Sequence, residues 1–256
     1  MSLSPLVAGF RGSLVAGAAT GLGALPIFLR AEWSPDARRL LLAVAGGMML
    51  GATFFSLLLP ALDLARRDGA GDLRAALTVG AGVLLGALAL WAAHAAIPHA
   101  HFSKGREGAS TPGLGRNTLF VLAIALHNLP EGLSVGVAYG GGGGDAVTLS
   151  ILAQNLPEGL AVAAALVADG QSRARAFFIA LATGLVEPIG GLLGALTMSL
   201  SDAVLPWGLA FAAGAMLFVV SGEVIPETHV EGRERSATFA IIVGFITMMS
   251  VAVLLG

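Results

Sequence analysis

The feature that most constrains this chain is the recurrence, eight times over, of an apolar stretch about as long as a bilayer's hydrocarbon core requires of a helix, about 20 residues. The stretches run over roughly 5–29, 38–62, 74–97, 117–140, 146–168, 175–200, 203–226 and 237–255, here called spans 1 to 8. Separators such as RAEWSPDARR, ARRDGAGDLR and ADGQSRAR punctuate them. With 56% hydrophobic and 12% charged residues, a soluble fold of this size has too little polar surface to cover its core. The expectation is an all-α polytopic membrane protein, one domain over 1–256, with the lipid bilayer as its first partner. No separator is long enough for a second domain, and the longest forms a loop at 98–116.

Composition excludes several classes. Lys+Arg and Asp+Glu number 14 and 16, with no basic run carrying interleaved aromatics, so nucleic acid is not a partner. Without cysteine there is no disulfide framework, thiolate metal site or thiol nucleophile. The N-terminal segment lacks a basic start and a small-residue cleavage site, and reads as a first span rather than a signal peptide. The glycine run at 140–144 has no Gly-Lys-Ser/Thr ending, which makes it an interhelical turn rather than a phosphate loop.

Cationic residues orient the chain. Arg30, Arg38, Arg39, Lys104, Arg106, Arg116, Arg173, Arg175, Arg233 and Arg235 fall in alternate loops on one side, against Arg66, Arg67 and Arg74 on the other. That bias makes the loop after span 3 cytoplasmic and puts both termini outside. Arg11 near the outer end of span 1 is read as snorkelling to the interface.

Within spans 4 and 5 one small motif appears twice, His127-Asn128-Leu129-Pro130-Glu131-Gly132 and Gln154-Asn155-Leu156-Pro157-Glu158-Gly159. At about 1.5 Å per residue, His127, Gln154 and Glu187 all reach the bilayer middle. Positions i and i+4 share a helix face, so His127 pairs with Glu131 and Gln154 with Glu158. Each proline removes a backbone donor and bends its helix where the polar groups project. Ionisable side chains at that depth are costly, and they mark an ion or substrate path rather than helix glue. Carboxylate, imidazole and amide without thiolate suit a first-row divalent cation. The two motifs run in opposite directions, as do GMML…P of span 2 and GAML…P of span 7. Such inverted pairs point to a pseudo-two-fold axis in the membrane plane with a site at the midplane.

The span order, HNLPEG and QNLPEG, LVEPIG in span 6, GGMMLGATFFSLLLPALD in span 2 and VVSGEVIPETH in span 7 together resemble the bacterial branch of the ZIP (Zrt/Irt-like) family of divalent metal transporters. The resemblance covers almost the whole chain. It implies eight helices in a 3+2+3 inverted-repeat arrangement and a homodimer in the inner (plasma) membrane. The transported ion it implies is Zn²⁺ foremost, with Cd²⁺, Fe²⁺, Mn²⁺, Co²⁺ and Ni²⁺ as further candidates; no bound cofactor is implied. His127, Glu131, Gln154 and Glu158 match primary ligands, with Met49 as a thioether ligand, while Asn128, Asn155 and Glu187 match a second site bridged by the two motif glutamates. Some relatives carry aspartate where this chain has Asn155, which lowers the negative charge of that second site by one.

Candidate path residues lie on either side. Ser56 and Asp63 stand toward the outer mouth, and Glu223, Glu227 and His229 toward the cytoplasm. His94, His99 and His101 are read with the loop after span 3 as a weak, solvated exit site. The expected function is movement of the metal ion into the cytoplasm by alternating access, with a pH effect because protons compete for the ligands. The rival is an intramembrane metal-dependent hydrolase, but there is no His-Glu-x-x-His motif and no Ser/His/Asp set.

Overall fold

The structure, a computed structural model, describes residues 4–30, 32–67, 71–101, 105–108, 116–198, 202–229 and 232–255. All eight expected spans are helical and apolar enough to cross a membrane: Pro5–Phe28, Pro35–Arg66, Asp72–Ala96, Val121–Gly140, Gly144–Ala168, Arg173–Met198, Leu205–Thr228 and Glu234–Leu254. Their starts follow from local chemistry. Ser4, Ser34 and Ser172 cap spans 1, 2 and 6 by accepting from the amides of Val7, Ala37 and Arg175, and Pro5 and Pro35 occupy first-turn positions where a missing N–H costs nothing.

Large apolar side chains point outward, among them Leu73, Leu77 and Trp91 of span 3 and Phe239, Val243 and Val253 of span 8. The interior is built largely from alanine, glycine, valine and leucine, with alanine foremost. That inversion of the soluble pattern is expected where lipid, not water, surrounds the bundle and helices gain by close approach.

The packing obeys one internal symmetry. Span 1 lies along span 5 as span 4 lies along the second half of span 6, and span 2 lies along span 8 as span 3 lies along span 7. Close approaches repeat in constant register. A Cβ built on Gly47 would lie 2.0 Å from the Ile241 oxygen, and one on Gly214 would lie 2.0 Å from the Val83 oxygen. Gly86 meets the Phe211 oxygen as Gly244 meets that of Val44, and Gly17 and Gly184 meet each other's carbonyls. Spans 1–3 therefore repeat as spans 6–8 around spans 4 and 5, upside down because a shift of five spans reverses the chain direction.

Three local features depart from the expected uninterrupted helices. Spans 2 and 7 each widen into a π-helical turn, Thr53–Leu58 and Val220–Val224, just before Pro60 and Pro226. Each proline withholds the N–H that would have bound a carbonyl four positions back, and a wider turn absorbs the mismatch. Span 6 divides into Arg173–Gly184 and Glu187–Met198, because Pro188 cannot bond the Gly184 carbonyl. Span 3 ends before Pro98, with Ile97 extended at φ −93° and ψ 125°, as a residue preceding proline prefers.

The loop after span 3 is not wholly irregular: strands β1 (His99–His101) and β2 (Gly105–Glu107) form an antiparallel ribbon, with β1 against span 4. Of the residues singled out from the sequence, Lys104 and the side chains of Arg67, His101, Arg106 and Arg116 lie outside the described set.

Candidate metal site

Spans 4 and 5 hold the two motifs on continuous helices, Arg116–Gly140 and Gly144–Ala168, each with its proline inside. The Gln154 amide donates to Glu131 Oε1 at 2.8 Å, joining the two helices within the bundle. Glu131, Gln154, Asn128, Asn155 and Glu187 are each at most 1% exposed, and Glu158 is 3% exposed. Glu187 opens the second half of span 6, where the freed N-terminal amides of a helix favour a carboxylate. The Asn155 amide donates both to Glu187 Oε1 at 2.6 Å and to the Ala16 carbonyl at 2.8 Å, tying spans 1, 5 and 6 at one point.

These bonds leave polar capacity over. Glu131 Oε2, Glu158 Oε2, Glu187 Oε2, Gln154 Oε1, Asn155 Oδ1 and both amide atoms of Asn128 are buried without a hydrogen-bond partner. Glu131, Glu158 and Glu187 are also near enough to repel one another. Buried polar atoms are nearly always satisfied, and carboxylates are not gathered in an apolar interior without compensation. A divalent cation placed there would satisfy the unused oxygens and neutralise the repulsion in one step.

His127 turns elsewhere than the i, i+4 pairing suggests. Its Nε2 lies 2.7 Å from Glu223 Oε2, and Glu223 Oε1 lies 2.7 Å from His94 Nδ1. His94 stacks edge-on against His99 with ring centres 4.7 Å apart, and one ligand atom from each of His94, His99 and Glu223 falls within 4.8 Å of the others. His99 Nδ1 is 2.8 Å from the Ile97 carbonyl, so in a neutral ring Nδ1 carries the proton and Nε2 the lone pair.

The histidine reading is corrected on two points. His94 is not a loop residue but stands in the last turn of the span 3 helix, and both it and His99 are buried rather than solvated. The reason is packing: Glu223 projects from the π-helical turn of span 7, which lies against span 3, and draws His94 inward. His94 and His127 therefore share the Glu223 carboxylate, with His99 beside His94, instead of forming separate sites.

The remaining residues are placed as follows. Met49 is buried in the apolar cluster with Ala16 and Val220. Ser56, in the π-helical turn of span 2, lies 3.3 Å from Ser150, one turn from Gln154. Asp63 is exposed beside Arg66 and is not brought to the site. His229 Nδ1 lies 3.0 Å from the Ile225 carbonyl and Nε2 3.1 Å from the Thr238 hydroxyl, contacts that anchor the end of span 7, while Glu227 is half-buried there. Sequence reasoning missed the direct link between His127 and Glu223. Its signal was Pro226, which has no N–H to give to the helical ladder and invites the widened turn from which Glu223 projects.

Eight apolar helices around an interior set of carboxylates, imidazoles and amides with unused oxygens define an integral membrane protein with a polar site between its helices. Residues 99–252 match the family model described as ZIP Zinc transporter. The chain is 50% identical to the zinc transporter GufA of Myxococcus xanthus, over 97% of this chain and 99% of that protein. It is 43% identical to the zinc transporter ZIPB of Bordetella bronchiseptica, over 93% and 78%, and 32% identical to the zinc transporter ZIP11 of Bos taurus, over 99% and 98%. The chain belongs to the ZIP family, among its bacterial members, and is a membrane transporter of divalent metal ions rather than an enzyme.

Proposed function

We propose that this protein carries Zn²⁺ into the cytoplasm by alternating access, binding it between spans 4 and 5 and releasing it past Glu223, His94 and His99. The observation that carries the reading is a row of contacts through the bundle: Gln154 donates to Glu131, one turn of span 4 separates Glu131 from His127, and His127 and His94 both meet Glu223, with His99 beside His94. Glu131, Glu158, His127 and Gln154 are the primary ligands, with Met49 as a thioether neighbour. Asn128, Asn155 and Glu187 form the second position.

The inverted repeat supports alternating access, because two halves of equal construction and opposite direction can exchange conformations about a midplane site. The names of the similar zinc transporters point to zinc, and the nitrogen and oxygen donors also suit Cd²⁺, Fe²⁺, Mn²⁺, Co²⁺ and Ni²⁺. The setting is the inner membrane with both termini outside, by the cationic bias of the loops, and the working form is a homodimer.

Uptake of zinc into proteoliposomes tests the reading. Glu131→Ala and His127→Ala each abolish uptake while the protein still inserts and melts cooperatively, since each removes a ligand from a site inside the apolar spans. Wild-type uptake by either variant overturns the assignment.

A further inference from the structure

The internal symmetry assigns a counterpart to Glu187. A Cβ on Gly132, the residue after Glu131, would lie 1.9 Å from the Glu187 carbonyl oxygen; one on Gly159, the residue after Glu158, would lie 1.9 Å from the Thr20 carbonyl oxygen. Thr20 of span 1 thus meets the second motif as Glu187 of span 6 meets the first. The mutual contact of Gly17 with Gly184, three positions before each of them, keeps the same register.

The Thr20 hydroxyl is exceptional. Ser13, Thr53, Ser134, Thr148, Ser150, Thr183 and Thr228 are the other buried serines and threonines among the described residues, and each gives its hydroxyl to a carbonyl of its own helix. That is the ordinary way to satisfy such a group inside a helix. Thr20 is fully buried and its hydroxyl has no partner. It is turned toward span 6, where a Cβ on Gly184 would lie 2.7 Å from Thr20 Oγ1. Asn128, the counterpart of Asn155, also has neither amide atom partnered. One half of the repeat therefore holds a bonded pair, Asn155 with Glu187, and the other holds two unbonded polar side chains at the equivalent positions.

We propose that Thr20 is a further residue of the metal path, the span 1 counterpart of Glu187, whose hydroxyl oxygen and the Asn128 amide together receive the divalent ion through its water shell. The proposal rests on the reading of spans 4 and 5 as the transport site. A hydroxyl and an amide are neutral oxygen donors, favoured by harder ions and by metal-bound water, so Thr20 weights the site toward such ions relative to soft ones.

Thr20→Val removes the oxygen at nearly constant volume, and Thr20→Ser retains it. Uptake into proteoliposomes is measured with zinc alone and with Mn²⁺ or Cd²⁺ as competitor, with Glu131→Ala in parallel. The valine variant raises the half-saturating zinc concentration about three- to tenfold, the size of one lost hydrogen bond, and weakens competition by Mn²⁺ more than by Cd²⁺; the serine variant retains both properties. If the valine variant does not insert, Thr20→Ala, which removes the same oxygen without adding bulk, carries the same expectation. Wild-type affinity and metal preference in the valine variant overturn the proposal, as does a serine variant as impaired as valine, which would leave only methyl packing. Transport by Glu131→Ala would instead overturn the site itself, so the two failures are distinct.

Discussion

Gly132→Ala tests whether the motif glycines set the distance between the ligand-bearing helices. The new Cβ would lie 1.9 Å from the Glu187 oxygen and 2.6 Å from its Cα. Relaxed contact between such atoms needs about 3.5 Å, so span 4 and the start of the second half of span 6 must part by about 1.5 Å. The hydrogen bond from Asn155 to Glu187 is 2.6 Å long, and absorbing even half of that movement takes it beyond the usual N–H···O range of about 2.7–3.2 Å. Overpacking costs about 1–3 kcal/mol and stripping the buried carboxylate of its donor a similar amount, about 2–6 kcal/mol together. The assays are thermal melting followed by tryptophan fluorescence and zinc uptake in proteoliposomes, and both fall sharply. Gly80→Ala is the control, since a Cβ there meets nothing within 4 Å and alanine favours the helix by about 0.5–1 kcal/mol. A Gly132→Ala protein that melts and transports like wild type refutes the claim that this glycine spaces the site.

Two further outcomes follow from the geometry. Asn155→Asp replaces a donor bonded to Glu187 and to the Ala16 carbonyl by an acceptor facing both, so without metal the protein melts lower, and with zinc it recovers more than wild type does; calorimetry and melting that show no change in metal dependence would remove this position from the site. Replacing His94, His99 and His101 together slows uptake without abolishing it, because His127 still holds Glu223 at 2.7 Å; complete loss in an inserted variant would make those imidazoles obligatory ligands.

Much of the architecture is written locally. A serine followed by proline starts spans 1 and 2, and a proline ends span 3 one residue after an extended isoleucine. Pro60, Pro188 and Pro226 mark the places where helical bonding must be interrupted. Whether interruption becomes a π-helical turn, as before Pro60 and Pro226, or a break, as at Pro188, was not legible, since that depends on what packs against the interrupted turn. The histidines show the same limit. A Pro-His-Ala-His stretch beside charged residues reads as a solvated loop, and only tertiary packing buries these histidines, Glu223 of span 7 meeting His94 and strand β1 lying against span 4 at His99.

The sequence by itself determined the membrane setting, the number of spans and the presence of two matched polar motifs inside spans 4 and 5. Those properties depend on composition, length and the 3.6-residue period, which neighbours along the chain decide. Only the tertiary structure decided which ligands share partners. His127 and Glu223 lie 96 positions apart, and Asn155 meets both Glu187 and the Ala16 backbone. Such meetings depend on how far each helix is rotated and how closely glycines let backbones approach, quantities settled by packing across the whole bundle rather than by any local pattern.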